Sequence, residues 1–263
     1  MVASRLRRIS EWLIGLKLGR AAISVLALAQ CAFLLGISGC ASTGVIKPSS
    51  AGAAGGQTPV NAWWYASFRV DWPEGEDPAL DTDLLIAHTI VKPVLDRHEK
   101  EISLWRFHRR AARDDAGHRF SFIFYATAAN AGKIYAEIGS SPILHRLKTG
   151  GVVLHVSMDN THTISRPQIE DTSDPNWSPA LKKAWPYFIM GVSRTWLDLI
   201  SQYAEDGRTK PFTLAETQAF YRQIAQEVEA AWKKEGGHAF LHHLNALFGY
   251  GPVSLGGKME MRF

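Results

Sequence analysis

Residues 118–126 read HRFSFIFYA. Phe120, Phe122 and Phe124 stand two apart, with Arg119, Ser121, Ile123 and Tyr125 between them. Successive side chains point to opposite sides of a strand, so the phenylalanines share one face and the interleaved set the other. Residues 102–110 alternate in the same way, and a turn rich in Ala, Asp and Gly joins the two runs. On the N-terminal side, residues 61–70, NAWWYASFRV, are rich in aromatics and closed by Pro73, Gly75 and Pro78, the signature of another strand. Between that strand and the first run, Asp81 caps a series formed by Leu84, Leu85, Ala87, His88, Val91, Val94 and Leu95. This spacing predicts a helix to about residue 100, kinked or split by Pro93. On the C-terminal side, residues 129–138 read as a helix that breaks near Gly139 and Pro142 and resumes to Lys148. Gly150-Gly151 then turns the chain into a fourth strand, 152–158.

Strand, helix, strand, strand, helix, strand is the ferredoxin-like split βαβ order. It implies an α+β class, with a four-stranded antiparallel sheet and two helices on one face. After a polar loop, 159–176, two longer helices follow. The first opens at Ser178-Pro179, with proline in the first turn, and carries Leu181, Trp185, Phe188, Val192, Trp196, Leu199 and Tyr203 as its apolar series. Pro186 should bend it. The second opens with a capping box, Thr213 to Glu216, and carries Leu214, Tyr221, Ile224, Val228 and Trp232. Together they form a C-terminal helical hairpin packed on the sheet or on each other. Residues 238–248 suggest one more short helix and 258–263 an edge strand. The organisation read from sequence is therefore a segment 1–39, a tether 40–60, and one α+β domain 61–263, divided into a ferredoxin-like part 61–158 and a helical part 177–248.

Charge and cysteine usage narrow the function. The formal net charge of the chain is +4. Arg5, Arg7, Arg8, Lys17 and Arg20, against Glu11 alone, lie within residues 1–39, and without them 24 basic and 24 acidic residues remain. A neutral domain lacks the basic footprint that nucleic-acid binding needs. Both cysteines, Cys31 and Cys40, precede the domain, which therefore has no disulfide, thiol nucleophile or cysteine metal ligand of its own.

Residues 1–20 are cationic, residues 21–37, AAISVLALAQCAFLLGI, carry no charge, and Ile37-Ser38-Gly39-Cys40 follows. A positive region, an apolar core and small residues before a cleavage point make an export signal. The last four residues resemble the lipobox of bacterial lipoproteins: an aliphatic residue, two small ones and the cysteine. The resemblance covers only this segment. It implies a diacylglycerol thioether on Cys40, cleavage before it, acylation of the new amino group (palmitate in a labelling experiment) and membrane lipid as a partner. Ala41 in place of Asp after the cysteine implies the outer membrane, facing the periplasm. The alternative is an uncleaved signal anchor, with an apolar stretch at the short limit of a span. Residues 41–60, ASTGVIKPSSAGAAGGQTPV, are small and flexible, a spacer with an r.m.s. reach of roughly 25 Å.

No catalytic signature is present: no GxSxG, HExxH, P-loop or GxGxxG. No catalytic residue, metal or cofactor is expected. His108 and His118 flank the hairpin turn and could face each other across it, and His238, His242 and His243 share a predicted helix, but a zinc site would need another ligand from elsewhere. Two surfaces remain. Arg106, His108 and Arg110 fall on one face of their strand, opposite Trp105, Phe107 and Arg109, and convergent arginines bind anions. Trp63, Trp64, Tyr65 and Trp72 cluster at the first strand. Trp63 and Trp64 point oppositely, so either one is exposed as an interface or both sheet faces are covered. Trp63, Tyr65, Arg106, His108 and Arg110 are thus the candidate ligand or partner residues. The function expected is a tethered, non-catalytic module that binds an envelope protein or assists assembly. The alternatives are a small-ligand or glycan binder, or an envelope hydrolase using His108, His155 or Asp159.

Overall fold

The computed structural model describes residues 59–205, 213–255 and 259–261; the lipobox, Cys40 and the tether to residue 58 lie outside them. The ferredoxin-like part runs β1 (Asn61–Val70), α1 (Leu80–Ile86), a π-helical turn (Ala87–Val91), α2 (Lys92–Arg97), β2 (Leu104–Ala111), β3 (His118–Thr127), α3 (Ala128–Gly139), α4 (Pro142–Thr149) and β4 (Val153–Met158). The four strands form one antiparallel sheet in the order β2-β3-β1-β4. This is the ferredoxin-like arrangement expected from the element order.

Pro93 acts one turn earlier than expected. Its missing N–H cannot reach back along the helix, and the chain widens into the π-helical turn before α2 instead of breaking. Gly139 and Pro142 do separate two helices, and Thr127 and Ser141 cap α3 and α4 through their hydroxyls.

The even-numbered face of β1 and β3 carries the main core. Trp64, Ala66 and Phe68 of β1 and Phe120, Phe122 and Phe124 of β3 are fully buried with Trp105 and Phe107 of β2. Phe122 and Phe124 stack at 4.9 Å. Trp64 Nε1 donates to the Ala126 carbonyl at 2.8 Å, so the indole buries no unpaired polar group.

The helical part contains α5 (Pro179–Glu205), α6 (Leu214–Gly236), a second π-helical turn (Gly237–His242) and α7 (His243–Leu247). The C-terminal hairpin is present: α5 and α6 pack on each other, and α6 packs on α1. The capping box forms as read, with Thr213 N–H donating to Glu216 Oε2 and Glu216 N–H to Thr213 Oγ1. Leu197, Ile200, Tyr221, Ile224 and Val228 join the main core, so α5 and α6 close that sheet face together with the helices that precede β2 and β4. β6 (Met259–Met261) does not extend the main sheet but pairs with β5 (Val253–Leu255) in a separate two-stranded sheet.

β2 is an edge strand, and an edge exposes unpaired backbone groups. α5 lies against it, and Ser193 Oγ accepts the Phe107 N–H at 3.1 Å while donating to the Ile189 carbonyl at 2.8 Å. Pro186 is absorbed similarly. Proline leaves the carbonyl four residues back without its helical donor, and Ser173 Oγ donates to that Lys182 carbonyl at 2.7 Å. The substitution of a side-chain donor for a backbone one fastens the 159–178 loop to the helix.

Candidate functional site

The apolar series read on α5 is packed only along its second half, and the most deeply buried residues lie on a neighbouring arc. The buried residues of the helix are Pro186, Ser193, Leu197, Ile200 and Ser201. The series Leu181, Trp185, Phe188, Val192 lies about 130° away around the helix axis. Farther along, the same stripe is occupied: Trp196, Leu199 and Tyr203 pack against the core, with Trp196 edge-on to Phe107 at 5.5 Å. In the first half it is open. Leu181, Phe188 and Val192 are 47, 45 and 46 % exposed, and the neighbouring Tyr187 is 55 % exposed. Trp177, Trp185 and Phe188 form a chain of ring contacts, at 4.9 and 5.6 Å, along this surface. Periodicity finds an apolar helix face but not whether anything covers it, which is why the sequence reading took the stripe as buried.

The second sheet face divides into two halves. Over one half, the loop after β4 acts as a lid. Trp63 N–H donates to the Arg166 carbonyl, Asp159 N–H to the Tyr65 carbonyl, Trp63 Nε1 to the Ile169 carbonyl at 2.9 Å, and Tyr125 Oη to the Pro167 carbonyl at 2.6 Å. Trp63, Leu104 and Ile123 form a small second core beneath it. Trp63, at 1 % exposure, is therefore core, and it is corrected out of the candidate surface. Both tryptophans are buried because both sheet faces are covered at this end.

Tyr65 is half-buried beneath the Arg166 guanidinium, 4.3 Å above its ring, and Arg166 pairs with Asp159. Arg106 is also half-buried under the lid, reaching the Thr172 carbonyl at 3.5 Å, and burial pulls its pKa down. This places Asp159 in a structural ion pair. Trp72 lies apart, capped by Arg113 at 3.6 Å.

His108 and Arg110 lie on the open half. His108 is exposed, its pKa lowered first by desolvation and then by Arg106 and Arg110. Arg110 pairs with Asp114, whose carboxyl it holds at about 2. His118 does not face His108 across the hairpin; it points into the core. There Asp83, fully buried, accepts from His118 Nε2 at 3.0 Å and from Arg109 Nε at 2.9 Å. The cluster ties α1 to the hairpin. It escaped the sequence reading because no spacing links residues 83, 109 and 118.

The rings of His238, His242 and His243 approach to 5.3–5.4 Å, but among the described residues no group of three or more His, Cys, Asp or Glu is arranged to hold a metal ion. A hollow of about 170 Å³ lies between Leu95, Asp96, Glu99, Ile102, Trp105 and Arg194, small against the 300 Å³ or more typical of ligand pockets. No described helix is long and apolar enough to cross a membrane. Comparison with protein-family models, with curated proteins and with solved structures finds no match to the chain.

Proposed function

We propose that the chain is an envelope lipoprotein, lipid-anchored through Cys40 at the outer membrane and facing the periplasm, whose domain is a non-catalytic protein-binding or assembly module. The observation that supports this reading is the uncovered half of the α5 stripe. Leu181, Trp185, Phe188 and Val192 continue, at helical spacing, the stripe whose other half is already packed. Aromatic and aliphatic anchors at this spacing suit a helix from a partner protein, and contiguous exposed apolar surface of this kind marks interaction sites. A partner helix over the first half would extend the packing that the core already gives the second.

Two experiments test the reading. A photo-crosslinking amino acid at Val192 in the native cell should capture one envelope protein, whereas the same group at Lys233, on the exposed face of α6, should not. Equal capture at both positions, or none at Val192, removes the docking reading. Palmitate labelling of the wild type and of Cys40→Ser tests the anchor independently; equal labelling of both removes it.

A further inference from the structure

The register of the sheet aligns its basic residues. Arg110 of β2 stands opposite Arg119 of β3, Arg119 opposite Arg69 of β1, and Arg69 opposite His155 of β4. Four basic side chains thus form one line across all four strands, on the open half of the second face. With strands about 4.8 Å apart, the line is about 14 Å long. Like charges directly opposite each other on a sheet destabilise it. Within the fold only part of this repulsion is offset: Arg110 has Asp114, and Arg119 Nε donates to the Ala116 carbonyl at 2.9 Å. Arg69 is exposed, and no ion pair joins it to an acidic residue among the described ones.

The adjacent line is made of small hydrogen-bonding groups: His108, Ser121, Ser67 and Ser157, opposite one another in the same register. Ser121 Oγ donates to Ser67 Oγ at 3.0 Å, while His108 and Ser157 are exposed. We infer that this face binds an acidic glycan, a sugar chain carrying carboxylate or phosphate groups, with its anions on Arg69, Arg119 and Arg110 and its hydroxyls on Ser67, Ser157 and His108, while the buried Ser121 holds Ser67 in place. Guanidinium groups pair with both anions through two parallel hydrogen bonds. A hydroxyl is both donor and acceptor, as sugar hydroxyls require. The shape agrees: a narrow, flat line of charge fits an extended chain laid across the strands, whereas a bilayer surface would call for a broad patch. The line also lies eight residues, about 26 Å, along β1 from residue 61, where the tether joins the domain.

The test uses the full-length chain in neutral detergent and four probes: oligogalacturonate, phosphorylated dextran, unmodified dextran, and vesicles containing anionic phospholipid. Binding is followed by interferometry over a salt series. At least one of the two acidic glycans should bind, the unmodified dextran should not, and affinity should fall as salt rises. Arg69→Gln and Arg119→Gln should each weaken binding about tenfold, the size of one charge-assisted hydrogen bond. Arg69 is exposed, so its replacement leaves folding intact, and the near-ultraviolet dichroism of each variant checks this. Failure of both acidic glycans to bind at low salt, equal binding of unmodified dextran, or binding unchanged in folded Arg69→Gln overturns the inference. Binding to vesicles alone overturns it too, and assigns the face to lipid headgroups.

Discussion

Asp83 is the residue whose loss the fold should tolerate least. Its carboxylate is wholly enclosed and holds two cationic or polar partners, Arg109 Nε at 2.9 Å and His118 Nε2 at 3.0 Å. Arg109 also donates to the Leu80 carbonyl at 2.9 Å and lies over the Trp196 ring at 5.1 Å, so it retains both contacts without Asp83. His118 does not: its side chain is fully buried, and its Nδ1 already has no hydrogen-bond partner among the described residues. Asp83→Ala therefore strands a buried imidazole with both nitrogens unpaired and leaves the guanidinium without its counter-charge. Breaking a buried ion pair from one side costs about 3–5 kcal/mol. The removal of two hydrogen bonds to a charged group, at about 1.5–3 kcal/mol each, gives the same range. In a domain of this size 1 kcal/mol moves Tm by about 2–4 °C, so the variant should melt roughly 10–15 °C below the wild type. Thermal and urea unfolding of the full chain, followed by circular dichroism, measure this. His118→Ala should cost less, because Asp83 keeps Arg109. If Asp83→Ala melts within about 3 °C of the wild type, or His118→Ala proves the more damaging, the cluster does not bind α1 to the hairpin as argued.

Three further outcomes follow from particular contacts. Ser193→Ala leaves the Phe107 N–H of the edge strand without an acceptor and should lower stability by about 1–3 kcal/mol in urea unfolding, whereas Thr195→Ala on the exposed side of the same helix should change it by under about 0.5 kcal/mol. His88 meets Tyr221 Oη at 2.6 Å, and desolvation first, then Lys92, lowers its pKa below 6.5 in the folded chain. The unfolded chain thus binds the proton more readily, so stability is full above pH 6.5 and declines as the pH falls below it; His88→Gln should flatten the pH–stability curve below pH 6.5. Phe188→Ser, at a half-exposed position, should leave the melting temperature nearly unchanged while abolishing crosslinking at Val192; a large drop in Tm would place Phe188 in the fold and not at an interface.

The sheet was legible because its signals are local. Period-two alternation in β2 and β3, a dense aromatic strand and the glycine and proline breaks are all contained in short windows, and element order then restricts topology to a familiar arrangement. The capping box at Thr213 was legible for the same reason. What the sequence hid depends on contact between distant segments. Arg106, His108 and Arg110 stand in one strand and could be read together. Arg69, Arg119 and His155 joined them only through the register, where a slip of one residue would have turned each arginine into the core. Trp63 was ambiguous because its cover, the 159–172 loop, has no periodic pattern. The α5 stripe was misassigned because two apolar arcs run along one helix, and the more aromatic arc is the one left half open.

The stripe and the basic line occupy different elements, one on the first half of α5 and the other across the sheet toward the hairpin turn. Neither uses a residue of the other, so each can be altered by substitutions that leave the other's residues in place. On the proposed reading, a domain carrying both surfaces can connect a protein to a charged glycan without a pocket or a catalytic group, and each weak contact raises the effective concentration for the next. Additivity makes this separable. Phe188→Ser should leave affinity for the acidic glycan unchanged, and Arg69→Gln should leave the Val192 crosslink unchanged, since Phe188 and Arg69 share no contact and such sites act independently. Loss of both activities in either single variant would mean that the two surfaces report one interface, and the connecting role would have to be abandoned.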